Sequence, residues 1–443
     1  RTAGRAPALL AALTVLTLLA GPCAASASAQ EYQVFGDVEG AATYHYLEDA
    51  DSEHRLTGAA RIRADHRLTF DRAELVADTE IELRSPAAPD PETGLGAVTG
   101  GSTTGSSAPD YGEGELDYFV DEAYLTLFPL SPVTASAGKQ RVNWGTGYTF
   151  TPTDTLHPRP STERDEGFRG VSVTWTPTAN LTVAGHVSVD DALDDPDGGA
   201  PGGVRYAAYG SVFLGNAEVF VSGVYGPDST LRPGAGVSAE VLGLVLAAEG
   251  AVELRNPVAY PEGSGANARF ETRDAGMPAP LGLVAVEYNA ANDILDFATI
   301  TEYLYAGTGY TTGEADKVYD AVAAARAAAR GGTSDAEAAA WLEAVGALDP
   351  EEMPFFLGRQ YVSQTLSLGI AGYVELESGL VMNAADLSYE AVQTVRVTAL
   401  DGVDFFTTAR WYGGAADSEL GTFPDGVRPP GRVQVELGSV VHF

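Results

Sequence analysis

The sequence predicts an all-β protein: a transmembrane antiparallel up-and-down β-barrel of 16 to 18 strands, 18 by direct count, with long outer loops, one of which carries a helical hairpin. Three observations predict it. The body of the chain is a series of segments of about 9 to 15 residues in which apolar and polar residues alternate, joined by connections that are short and long in turn. No stretch after the first 29 residues approaches the roughly 18 uncharged apolar residues of a spanning helix, and only helices and closed barrels satisfy every backbone polar group in lipid. The last dozen residues set Val433, Val435, Leu437, Val441 and Phe443 against Arg432, Gln434, Glu436, Gly438 and His442, a period of two long enough to cross a tilted wall.

At the N-terminus, Arg1 and Arg5 precede the apolar run 8–20 and then Ala27-Ser28-Ala29, the order of a secretory leader. Residues 1–29 are therefore expected to be a signal peptide and 30–443 a single barrel domain. The one cysteine, Cys23, lies in that leader behind Pro22, where lipid attachment wants a small residue, so the barrel holds together without disulfides. Net charge is −35, and lysine occurs only at Lys139 and Lys317. Such acidity excludes nucleic acid as a partner.

Eighteen strands are expected near 33–47, 54–69, 72–84, 115–128, 132–143, 169–177, 180–190, 204–214, 216–225, 231–240, 242–254, 280–289, 293–306, 359–371, 375–389, 392–400, 403–413 and 432–443. With both termini on the periplasmic side the number must be even, which leaves 16 as the alternative. Short turns fall at 69–72, 129–132, 177–180, 215–216 and 401–402, all rich in turn formers. Among the long connections, 191–203 carries Asp195-Pro196-Asp197-Gly198-Gly199, but it lacks a third ligand at calcium-loop spacing and has Tyr206 in place of the closing Glu, so no metal is expected. The connection 307–358 is a helical insertion: Val318, Val322, Ala325 and Ala329 recur at helical spacing, and Ser334-Asp335-Ala336-Glu337 is a capping box for a second helix.

The second and third strands expose the lumen side most clearly. Arg61, Arg63, Asp65 and Arg67 alternate with Ile62, Ala64 and Leu68, while Glu74, Asp78, Glu80 and Glu82 alternate with Leu75, Ala77, Ile81 and Leu83. A turn centred on Phe70-Asp71 opposes Arg67 to Glu74, Arg63 to Asp78 and Arg61 to Glu80, three pairs of opposite sign on one face. A basic side chain facing lipid at mid-depth costs roughly 2–4 kcal/mol, so this ladder should face water, with Ile62, Leu75, Ile81, Val435 and Leu437 facing lipid.

A second stretch reads Glu122-Ala123-Tyr124 on one strand and then Gly138-Lys139-Gln140-Arg141-Val142-Asn143-Trp144-Gly145. It resembles a pattern of porin-like outer-membrane channels, the alginate-export family among them. That resemblance implies an 18-stranded barrel and inward-pointing Lys139, Arg141 and Asn143. The chain's acidity departs from the strongly basic lumen that an alginate exporter would carry. The terminal Phe443, in its alternating frame, resembles the signature by which Gram-negative outer-membrane proteins are recognised for assembly. The barrel assembly machinery is the partner this implies, and outer-membrane lipid and lipopolysaccharide are the surroundings.

Residues 148–168, with Tyr148, Asp154, His157, Arg159 and Arg164 among several prolines, are too long and stiff for a turn and suit a loop folded into the pore as a constriction. With Lys139, Arg141, Arg61 and Arg63 on one side and Asp78, Glu80 and Glu82 on the other, a transverse field across the pore is expected. Catalysis is not: His45, His54, His66, His157, His186 and His442 are scattered, and only His157 and Asp154 form a local pair. No phosphate, dinucleotide or other cofactor motif occurs. The expectation is a channel for passive diffusion or export of small polar or charged solutes, the alternatives being a plugged structural or surface-binding barrel and a secreted soluble β-protein.

Overall fold

The computed structural model describes residues 31–47, 53–84, 115–153, 167–189, 204–226, 231–254, 257–262, 269–274, 278–329, 357–400, 402–414 and 433–442. Within them the chain forms β1 (Glu31–Leu47), β2 (Glu53–Phe70), β3 (Ala73–Arg84), β4 (Glu115–Leu130), β5 (Val133–Gln140), β6 (Phe168–Thr178), β7 (Leu181–Val189), β8 (Val204–Leu214), β9 (Ala217–Tyr225), β10 (Leu231–Val241) and β11 (Leu244–Glu253). A small hairpin follows, β12 (Pro257–Glu262) and β13 (Arg269–Asp274). The wall resumes with β14 (Ala279–Ala291) and β15 (Leu295–Ala306), is interrupted by helix α1 (Thr312–Ala329), and is completed by β16 (Gln360–Ile370), β17 (Val374–Asn383), β18 (Tyr389–Leu400), β19 (Val403–Gly413) and β20 (Val433–His442).

Eighteen of these strands make one antiparallel sheet in sequence order, and β20 pairs with β1 to close it. Closure removes both sheet edges, the only way a sheet can sit in lipid with every backbone group satisfied. All eighteen expected strands are present, and most ends lie within two residues of those read from the alternation. The larger departures are informative. β5 stops at Gln140 because the chain then turns into the barrel, and β17 stops at Asn383 because Asn383, Asp386 and Ser388 build a tight turn: Asn383 Oδ1 accepts from Ala385 N–H at 2.9 Å and Asp386 Oδ1 from Ser388 N–H at 2.8 Å.

The outward columns carry an apolar band in which Ile62, Ile81, Val171, Val173, Val221, Val284 and Leu437 are exposed. Rings of aromatic residues flank it: Tyr118, Tyr206, Tyr225, Tyr389 and Trp411 at the long-loop rim, and Tyr32, Trp175, Tyr288 and Phe405 at the short-turn rim. This is the girdle pattern of a barrel in a bilayer, where amphipathic rings sit at headgroup level. No helix among the described residues is long and apolar enough to cross a membrane.

The connection after β11 and the one after β15 pack against each other. Hairpin β12–β13 and α1 share a core of Val258, Tyr260, Tyr310, Ala315, Val318, Tyr319 and Leu357. The helix begins with a capping box that the spacing argument passed over: Glu314 Oε2 accepts from Thr311 N–H at 2.9 Å and from Thr311 Oγ1 at 2.8 Å. The hairpin was not expected either. The second helix, heralded by Ser334, lies outside the described residues, as do the 191–203 loop, the leader and Phe443.

Candidate functional site: the lumen and the chain folded across it

The side chains of the β2–β3 ladder lie on the inward face, and their pairing corrects the expected register. The turn is Asp71-Arg72, so Phe70 faces Ala73, Arg63 faces Glu80 and Arg61 faces Glu82, two residues out of step with a turn centred on Phe70-Asp71. The ion pairs nevertheless join the expected partners, because each arginine leans diagonally: Arg61 Nε to Glu80 Oε1 at 3.1 Å, Arg63 to Asp78 at 2.5 Å and Arg67 Nε to Glu74 Oε1 at 3.1 Å. Diagonal neighbours on one face stay within reach of a long side chain. Asp78, Glu80 and Glu82 are buried beneath the guanidinium groups. Acid and base thus sit on adjacent strands, not across the pore, and the expected transverse field collapses into local pairs.

Lys139 is a second correction. The register sets it opposite Ala123 and Arg169, in the outward column of Ala137 and Val171, and gives the inward position to Gln140. Gln140 is buried and accepts from Ser172 Oγ at 2.8 Å. The alternation of β5 sets this, since Lys139 shares the parity of Val133, Ala135 and Ala137; nearby on β4, Asp78 faces Glu122 but Thr79 faces Val120, so Asp121 is an extra, bulged residue. Lys139 Nζ donates to the Val120 carbonyl at 2.7 Å, beside the bulge. Arg141 and Asn143 lie beyond the end of β5: Arg141 N–H donates to Glu122 Oε1 at 2.8 Å, and Asn143 is exposed.

From Arg141 the chain crosses the barrel interior. Trp144 stacks on Tyr209 of β8 with ring centroids 5.5 Å apart and 19° between planes, and packs with Ala207 and Val224. Glu249 of β11 then accepts from Thr146 N–H at 2.8 Å and from Thr153 Oγ1 at 2.9 Å. Glu302 of β15 accepts from Tyr148 N–H at 2.6 Å, Thr149 N–H at 2.8 Å and Ser363 Oγ at 2.9 Å. Between these anchors Phe150 packs on Leu281, Leu283, Leu304 and Tyr361. Both carboxylates are buried, and each offsets its desolvation with several short donors.

The Trp-Gly-Thr-Gly run is explained by this crossing. Gly145 has φ +124°, and a Cβ there would lie 2.9 Å from Thr153 Oγ1 and 3.0 Å from a Glu249 carboxylate oxygen. A Cβ on Gly147 would strike the Phe150 carbonyl. Only glycine lets the backbone come close enough to hand successive N–H groups to the carboxylates. Of the constriction-loop residues expected from sequence, Tyr148 is in this fold, with its ring exposed; Asp154, His157, Arg159 and Arg164 lie outside the described residues. Glu249 and Glu302 were missed. The available signal was the small or apolar pair flanking each one in its column, Glu249 between Ala247 and Ala251 and Glu302 between Ile300 and Leu304.

The covered and uncovered sides of the lumen differ. On β8–β16 the inward residues Ala207, Phe220, Ser222, Ala247, Leu283, Ala285 and Tyr361 are buried, whereas on β17–β2 Arg61, Asp65, Arg67, Glu375, Arg396 and Arg410 keep 38–53% of their side-chain surface in solvent. Among the described residues no cluster of three or more His, Cys, Asp or Glu side chains has metal-site geometry.

No protein-family profile matches the chain, and no curated protein does. Solved structures do. OccAB1 of Acinetobacter baumannii aligns over 93% of this chain and 96% of its own with a TM-score of 0.51 and 12% identity. Wzi of Escherichia coli, described as an outer-membrane carbohydrate-binding β-barrel involved in group 1 capsule assembly, aligns over 92% of this chain and 84% of its own with a TM-score of 0.51 and 10% identity. At such identities the likeness is one of fold, and the fold is a closed 18-stranded antiparallel barrel of the porin-like kind.

Proposed function

We propose that the chain is a porin-like outer-membrane channel through which small polar or charged solutes diffuse. One observation carries the reading: the fold 141–153 lies against one side of the interior, while the charged side chains of the facing wall remain half-exposed to solvent. An interior filled by side chains would bury both. The charged ladder then lines the pore, and the inward fold is its constriction. In this reading residues 1–29 direct export, α1 with the hairpin β12–β13 caps the outer mouth, and the assembly machinery takes the chain by its C-terminal strand, ending at Phe443, into a membrane of lipid and lipopolysaccharide. The reaction asked of the protein is passage, not catalysis.

Purified protein in planar bilayers should give stepwise conductance that rises in proportion to salt. A second reading, a plugged barrel that binds ligands at its surface, draws on the tight anchoring of 141–153 and on the packed unit of α1 and β12–β13. It expects no conductance steps and a saturable binding isotherm instead.

A further inference from the structure

We propose that solutes cross on one side of the barrel only, along the inner face of β17–β20, β1 and β2, and that this route prefers cations. The inference rests on the channel reading. The route follows from the exposure contrast: the other side is covered by Trp144, Phe150 and the backbone that Glu249 and Glu302 hold.

The preference follows from which charges on the open wall are already neutralised. Among the described side chains, each guanidinium of this face has a carboxylate partner: Arg61 with Glu80, Arg63 with Asp78, Arg67 with Glu74, Arg396 with Asp404 at 3.7 Å and Arg410 with Glu390 at 3.3 Å. Four carboxylates in the same inward columns, Asp37, Glu39, Glu377 and Glu436, form no ion pair within 4.0 Å among the described residues. Asp37 and Glu39 face β2 opposite Arg63 and Arg61, whose charges go to β3; Glu436 lies opposite Thr43 and Thr408; Glu377 lies opposite Ser367 and Thr394. All four lie well inside their strands, on β1, β17 and β20, so a solute on this route passes between them. Uncompensated charge of one sign beside a low-dielectric wall concentrates the opposite ion.

The test is the reversal potential in a potassium chloride gradient. The native channel should favour potassium. Replacing the four together (Asp37→Asn, Glu39→Gln, Glu377→Gln, Glu436→Gln) should lower the cation-to-anion permeability ratio by about threefold at 0.1 M salt and by less at 1 M, where the screening length falls from about 10 Å to about 3 Å. Glu287→Gln, on the covered side beneath Tyr148, should leave the ratio unchanged. An unmoved ratio in the fourfold variant, or an equal shift in Glu287→Gln, overturns the inference while the channel reading stands; a native protein without conductance overturns both. If the fourfold variant fails to assemble, labelling decides. In a Cys23→Ser background, Thr408→Cys should react faster with a cationic than with an anionic thiosulfonate and lose current, and Ser238→Cys should do neither. Equal rates at Thr408→Cys, or block at Ser238→Cys, count against the route.

Discussion

The inner face of β8–β16 and the inner face of β17–β2 belong to one sheet and obey one alternation, yet they solve opposite problems. The first receives a length of chain, so its inward columns are small or apolar (Ala207, Ala247, Ala285, Leu283), with two carboxylates set among them as anchors. The second receives water, so its columns are charged and its ion pairs half-solvated. Glu249 and Glu302 catch backbone amides, while the arginines of the second face stay half in solvent.

The contrast can be broken most severely at the anchors. Glu249→Ala with Glu302→Ala strips the acceptors from Thr146, Tyr148, Thr149, Thr153 and Ser363. At roughly 1.5–3 kcal/mol for each bond to a charged group, well over 5 kcal/mol of anchoring is lost. Single-channel conductance should rise and protease should cut within 141–153; unchanged conductance would mean that the fold does not narrow the path. Gly145→Ala acts on the same element with a smaller effect. Its positive φ costs about 1–2 kcal/mol and the Glu249 contact adds to that, so the conductance should become noisy between two levels.

On the open wall, Arg63→Gln leaves Asp78 buried without its guanidinium. The arginine is itself partly solvated, which brings the cost down from the buried-pair range to about 1–3 kcal/mol. Thermal unfolding in detergent should register it, and cation preference should increase. Arg269→Gln, whose partner Glu271 is 3.9 Å away on an exposed hairpin, should change stability by less than about 0.5 kcal/mol. The effect at the helix and hairpin is local. Tyr310→Phe removes the hydroxyl donated to the Ala259 carbonyl, about 1 kcal/mol local to α1 and β12, with no change in conductance. Burial pushes the Tyr310 hydroxyl above the usual tyrosine range. Its contribution is therefore whole below the ordinary tyrosine value and is lost as pH rises through the raised one. Hydrogen exchange of α1 should show that alkaline loss in the native protein and not in Tyr310→Phe.

Alternation alone determined the wall: eighteen segments, their order, their inward and outward columns, and the acid–base partners of the β2–β3 ladder were legible, because a period of two is a local property that the bilayer enforces on every strand. The helical spacing from Val318 onward announced α1 for the same local reason. What alternation could not carry is anything decided between distant residues. Lys139 belongs to the outward parity of Val133, Ala135 and Ala137, which the likeness to other channels overrode, and the bulge at Asp121 is an extra residue that no periodicity records. The capture of Thr146 and Tyr148 by Glu249 and Glu302 joins residues more than a hundred positions apart. Only barrel closure brings those columns face to face across the lumen, so only the tertiary structure decided which half of the interior is filled and which is left to water.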